Sequence, residues 1–161
     1  EIYTLSLHDA LPICDTIPQL AASCGSGTIM IETLKEFTFE AAHQLPPFSG
    51  LHGHSFLVQV FLRGEPDPVY GWSHNLYEVE KVVEKVRLKV DHTYLNDIEG
   101  LEHPSLENVA RWIWGQLSTE LDGLDRVVVR RGPDGLAEGC TYSGHSEAGK
   151  LVTDRIHNLE G

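Results

Sequence analysis

Cysteine is scarce in this chain. Its 161 residues include only Cys14, Cys24 and Cys140, too few and too scattered for the disulfide framework of a small secreted domain, so a reducing cytoplasmic setting is expected. Long apolar runs are lacking as well. Nowhere do about 18 apolar residues follow one another, which argues against a membrane-spanning helix. Basic charge is also short, with 12 Lys plus Arg against 24 Asp plus Glu and a formal net charge of -12. A chain of that sign has no basic footprint for sequence-independent binding of nucleic acid, so an anionic partner has to be met by a local site. Methionine occurs once, at Met30.

The remainder, 41% hydrophobic and 22% charged, fits one globular domain. Residues 1–13 follow neither a helical nor a strand period, and they resemble the conceptual translation of a sequencing-library adapter. A secretory signal would need a basic start and a continuous apolar stretch, and neither is found. Residues 1–29 are therefore expected to be a non-native leader, with the domain spanning 30–144 and a polar tail 145–161. Setting the leader aside removes Glu1, Asp9 and Asp15 and no Lys or Arg, which takes the formal charge from -12 to -9.

Within the domain, residues 32–42 alternate around Phe37 and Phe39 as a half-buried strand does. Residues 55–63 alternate again, with Phe56, Val58, Val60 and Leu62 on one face. The opposite face, Leu57, Gln59 and Phe61, is not polar, which predicts cover on both sides and hence an oligomer. Leu76, Val79, Val83, Val86 and Val90 recur at helical spacing, and Ser105 is a natural N-cap for a second apolar stripe through Val109, Ile113 and Leu117. Short strands are expected at 127–130 and 139–142, around a Gly-Pro-Asp-Gly turn. The order predicts an α+β domain: a four-stranded antiparallel sheet with two helices on one face.

Histidine is the unusual component: nine residues, three of them between positions 43 and 54. In His52-Gly53-His54 the two imidazoles point to the same side of a strand. An antiparallel strand ending in His43 can supply a third nitrogen at that end of the sheet. Three neutral imidazoles with a fourth position open form the ligand set of a catalytic zinc. The plain alternative is three surface or hydrogen-bonded core histidines. Asp91-His92 is a second candidate pair, a carboxylate that orients an imidazole for proton transfer, provided a loop turns the two side chains together.

Five strings occur in order: Phe-Glu-Ala-Ala-His at 39–43, Leu-His-Gly-His-Ser-Phe at 51–56, Val-Asp-His-Thr-Tyr-Leu-Asn at 90–96, Pro-Ser-Leu-Glu-Asn at 104–108 and Glu-Gly-Cys-Thr-Tyr at 138–142. Together they resemble the 6-pyruvoyl-tetrahydropterin synthase family, and most of all its bacterial branch, the 6-carboxy-tetrahydropterin synthases of the queuosine pathway. The resemblance implies a tunnelling fold (T-fold) assembled into an oligomeric barrel, trimer or hexamer, with active sites between subunits. It also implies a Zn2+ ion on His43, His52 and His54, Asp91 and His92 as a proton relay, and a pterin triphosphate, 7,8-dihydroneopterin triphosphate, as substrate. Such a metal polarises the substrate's hydroxyls and eases proton removal from the adjacent carbon.

The chain departs from that pattern in three places. The family's cysteine before His-Gly-His is missing from the shortened Pro46-Pro47-Phe48-Ser49-Gly50 segment, and the Ser49 hydroxyl is too weakly acidic to replace a thiolate. Arg131 stands where the family places the glutamate that holds the pterin's donor edge, and a guanidinium offers only donors. Glu138, Glu107 and the neighbouring Ser105 are the candidate replacements for substrate binding. Asn75 replaces an Asp in a position that reads as structural. These departures leave three readings open. The chain is a lyase on the pterin triphosphate, a divergent enzyme whose Arg130 and Arg131 meet another, anionic substrate, or a non-catalytic zinc-binding module.

Overall fold

The computed structural model describes residues 28–132 and 138–144. The expected tail and nearly all of the expected leader and Gly-Pro-Asp-Gly turn lie outside the described residues. Strand β1 spans Ile31–Leu45 and β2 Phe48–Gly64. Both are longer than their alternation suggests, because the apparent loop after Leu45 closes in a turn at Pro46-Pro47 and the chain pairs again at Leu45↔Phe48. Helix α1 is Leu76–Val90, and Asn75 caps it by accepting the Tyr77 N–H, which gives that residue its structural role. Two residues, Thr93–Tyr94, then form β3, followed by a short 3-10 turn. Helix α2 (Leu106–Leu117) starts at the Ser105 cap, and β4 (Leu124–Arg131) and β5 (Glu138–Tyr142) are the last elements among the described residues.

The sheet order is β3-β1-β2-β4-β5, so the expected four antiparallel strands are joined by a fifth. β3 is short and runs parallel to β1 through Ala41↔Thr93 and Ala42↔Tyr94. Two residues are too few to leave a period in a sequence. The inward face of the sheet carries Phe37, Phe39, Phe56, Val58, Val60, Leu62, Val127 and Val129. These meet Val79, Val83, Val86 and Val90 of α1 and Val109, Ala110, Ile113 and Leu117 of α2 in one core. On the other face Leu57, Gln59 and Phe61 are half-buried, and the Arg126 guanidinium lies 3.7 Å from the Phe61 ring centroid. Among the described residues no helix is long and apolar enough to cross a membrane.

Candidate functional site

The pairing of β1 with β2 sets His43 directly opposite His52, and His54 lies two residues further along β2. Alternation then turns all three imidazoles to the core side of the sheet, at the end where the hydrophobic packing gives out. Their ring centroids are 4.6 Å (His43–His52), 5.1 Å (His43–His54) and 5.0 Å (His52–His54) apart. One ligating atom from each can be chosen so that all lie within 4.8 Å of one another.

Two of the rings are held in a known tautomer. His43 Nδ1 is 3.0 Å from the Pro104 carbonyl oxygen and His52 Nδ1 is 3.0 Å from that of Gly50. A carbonyl only accepts, so each Nδ1 carries the proton and each Nε2 keeps a lone pair. His43 is 1% exposed, yet its Nε2 is a buried side-chain polar atom with no hydrogen-bond partner. Leaving such an atom unsatisfied costs about 1–3 kcal/mol. A cation drawn to the three nitrogens removes that cost. Burial pushes His43 and His54 below the ordinary histidine value, with the Arg131 charge adding to the effect at both. Both rings are therefore neutral at pH 7, the form in which histidine ligates. Donor type, tautomer, protonation and the orphaned nitrogen all fit a divalent metal such as zinc.

Beside this cluster lies a cavity of about 710 Å3 whose lining includes His52, His54, Phe48, Leu51, Arg131 and Glu138. The last two face each other across β4 and β5 (Arg131↔Glu138), joined by Arg131 Nε donating to Glu138 Oε1 at 2.7 Å. Arg131 holds the Glu138 carboxyl below the usual carboxylate range. Arg130 points to the opposite face of the sheet, since its neighbour Val129 is buried in the core. The two arginines therefore do not converge on one anion. Ser105 and Glu107 are not among the lining residues. Ser105 accepts the Asn108 N–H at 3.3 Å to start α2. Glu107 is held low by its own N–H and then by the Ser105 hydroxyl.

Asp91 ends α1, and His92 adopts φ 55°, in the left-handed region. That turn brings His92 Nδ1 within 2.9 Å of Asp91 Oδ1, which a straight strand would forbid. Asp91 Oδ1 also accepts the Glu40 N–H at 3.0 Å, and its Oδ2 accepts from Arg87 at 2.5 Å. The Glu40 N–H is the main cause of its lowered pKa, with His92 and Arg87 adding to it. The pair lies apart from the three-histidine cavity. His92 lines a second hollow of about 510 Å3 with Glu40, Ser55 and Tyr94, and His54 borders both. The lone described cysteine, Cys140, does not line either hollow, and burial pushes its thiol up. It therefore does not replace the missing thiolate. The orienting carbonyls of Gly50 and Pro104 escaped the sequence reading, because a backbone oxygen leaves no residue-type signature.

A family profile described as "6-pyruvoyl tetrahydropterin synthase" matches residues 32–142. The chain is 40% identical over 105 residues to a 6-carboxy-5,6,7,8-tetrahydropterin synthase of Synechocystis sp., covering 59% of this chain and 81% of that protein. It is 34% identical over 88 residues to a dihydroneopterin monophosphate aldolase of Pyrococcus furiosus, covering 53% and 74%. In structure it resembles the 6-pyruvoyl tetrahydropterin synthase of Caenorhabditis elegans, with a TM-score of 0.66 at 26% identity, covering 73% of this chain and 98% of that one.

Proposed function

The chain belongs to the 6-pyruvoyl tetrahydropterin synthase family, and on that premise we propose that it is a zinc-dependent lyase of the 6-carboxy-tetrahydropterin synthase type. Its substrate is 7,8-dihydroneopterin triphosphate, which with water gives 6-carboxy-5,6,7,8-tetrahydropterin, acetaldehyde and triphosphate. The observation that carries this reading is the convergence of three histidines beside a cavity of substrate size, with a buried nitrogen otherwise unpaired.

His43, His52 and His54 hold the metal, with Pro104 and Gly50 orienting two of the rings through their carbonyls. When bound, zinc supplies Lewis-acid polarisation of the substrate's side-chain hydroxyls. Proton transfer falls to His92: Asp91 fixes its Nδ1 side and leaves Nε2 to exchange a proton with the ligand. Because His92 opens into the neighbouring hollow, we place the complete site between copies of the chain in a homo-oligomer. The half-buried Leu57 and Phe61 give such a copy an apolar face to cover.

The test is incubation of zinc-loaded protein with dihydroneopterin triphosphate, with product identified by chromatography. Acetaldehyde and the carboxypterin in equal amounts are expected, and unchanged substrate after hours refutes the reading. A second reading is a different cleavage of the same side chain. It is favoured by the aldolase name of the Pyrococcus furiosus relative and by the lack of a cysteine near His52. A two-carbon fragment more oxidised than acetaldehyde would identify it.

A further inference from the structure

The hollow into which His92 opens has its floor on the face of the sheet opposite the three imidazoles. Two pairs of facing residues on β1 and β2 build that floor, Glu40↔Ser55 and Ala42↔Gly53. The second pair offers only a methyl group and a hydrogen. A Cβ added at Gly53 would meet nothing closer than the Ala41 carbonyl oxygen at 3.4 Å, so the space above it, part of a hollow of about 510 Å3, stays open. Glu40 supplies the one carboxylate among the described lining residues. Its Oε2 accepts the Ser55 hydroxyl at 2.9 Å, and its Oε1 has no partner among the described residues. The main chain of Glu40 is tied to the relay pair on both sides: its N–H donates to Asp91 Oδ1 at 3.0 Å, and its carbonyl accepts the His92 N–H at 2.6 Å. A carboxylate and an imidazole are thereby held at a fixed offset around one opening.

From this arrangement we infer that Glu40 is the catalytic base, the group that takes a proton from the substrate carbon next to the ring, with Ser55 positioning it and His92 as the acid that acts opposite. The inference rests on the reading of this chain as a lyase on the pterin side chain, and it fills the role that the missing thiolate leaves open. The step balances. The C–H bond breaks and its proton goes to Glu40 Oε1, while its electron pair forms a C=C bond to the ring carbon. The π pair of the ring's C=N bond moves onto nitrogen, and that nitrogen takes a proton from His92 Nε2. Two groups of opposite protonation state act at once, which a single imidazole does not supply. The Ser55 hydroxyl is too weakly acidic to be the base itself. By donating to Oε2 it fixes the carboxylate and leaves Oε1 to the ligand. Cys140 lies outside this hollow, and burial pushes its thiol up.

Turnover of 7,8-dihydroneopterin triphosphate by zinc-loaded, full-length protein tests this, read as loss of substrate. Glu40→Gln keeps the side chain's size and its hydrogen bond from Ser55 but cannot take a proton. It should lower kcat roughly 10²- to 10⁴-fold, the range for a lost general base, with zinc content and KM near the wild-type values. Glu40→Ala should fall as far, and added formate, a small carboxylate that fits the vacated space, should partly restore it. A merely structural role would show no such rescue. Ser55→Ala should lower kcat only about 2- to 10-fold, the worth of one hydrogen bond. Glu40→Gln within about threefold of wild type overturns the assignment and leaves the lyase intact. A loss in Glu40→Ala that formate does not raise, or one that comes with lost zinc, overturns it in favour of a structural pair. A zinc-loaded wild type that leaves the substrate unchanged overturns the proposed function, and the base with it.

Discussion

Removing one imidazole from the cluster separates metal binding from folding, and His52→Ala is the informative substitution. His43 is buried and bonded to Pro104, so truncating it opens a hole in the core, whereas His52 is half-exposed and bonds only the nearby Gly50 carbonyl. A site that binds only the folded state stabilises it by about 2.7 kcal/mol at a ligand concentration one hundred times Kd. For a domain of this size that corresponds to a rise in Tm of roughly 8–16 °C. Loss of one of three protein ligands weakens affinity by at least the ~100-fold seen for outer-sphere changes. At the same zinc concentration the variant then gains only about 0.4 kcal/mol, or roughly 1–3 °C. Without metal, its stability should stay within about 1 kcal/mol of the wild type. Scanning calorimetry with and without zinc, beside elemental analysis, measures all of these quantities. A wild type whose Tm ignores zinc, or a His52→Ala variant that responds equally, refutes the metal assignment.

Asp91→Asn should lower turnover roughly 10²- to 10⁴-fold while zinc content stays at the wild-type level, and activity within threefold of wild type would remove the pair from the mechanism. Phe56 stacks on Phe39 at 4.6 Å and lies edge-on to His54 at 6.0 Å, so Phe56→Ala should cost about 3–5 kcal/mol in urea unfolding and weaken zinc binding in parallel. Glu32, bonded to Arg126, has its pKa lowered from 4.5 to about 2. The unfolded chain takes up that proton first, so the stabilisation is present above about pH 4.5 and fades as the pH falls toward 2. In Glu32→Gln the decline of stability over that window should be shallower, and an unchanged slope in denaturation curves from pH 5 to pH 2 would count against the ion pair.

The sequence exposed the parts of this molecule that depend on periodicity and residue type. Alternation located β1 and β2, a β-branched run before a turn located β4, three- and four-residue spacing located both helices, and the His-x-His string located the candidate ligands. The true ends of β1 and β2 were hidden because Pro46-Pro47 looks like the start of a long loop, whereas pairing resumes one residue later. Whether Asp91 and His92 could touch was undecidable from their adjacency. It depends on one backbone angle, the positive φ of His92, in a residue type that only occasionally adopts it. The Arg131–Glu138 partnership was hidden for another reason: register across a turn is set by packing on both strands, so no linear spacing announces which residues will face each other.

His43 and the Asp91-His92 pair hang from the same short length of β1. Glu40 bonds Asp91 through its N–H and His92 through its carbonyl, Ala41 and Ala42 pair with Thr93 and Tyr94, and His43 follows next. This stretch works as a ruler, fixing the offset between the proposed metal ligand and the proposed proton carrier mainly by main-chain geometry, with Arg87 of α1 bonding Asp91 as well. Substitutions on α1 or α2 that loosen the domain, Arg87 with its bond to Asp91 excepted, should accordingly reduce how many molecules are folded while leaving the turnover of each folded molecule unchanged. Only an insertion or deletion within residues 40–43 would change the ruler's length.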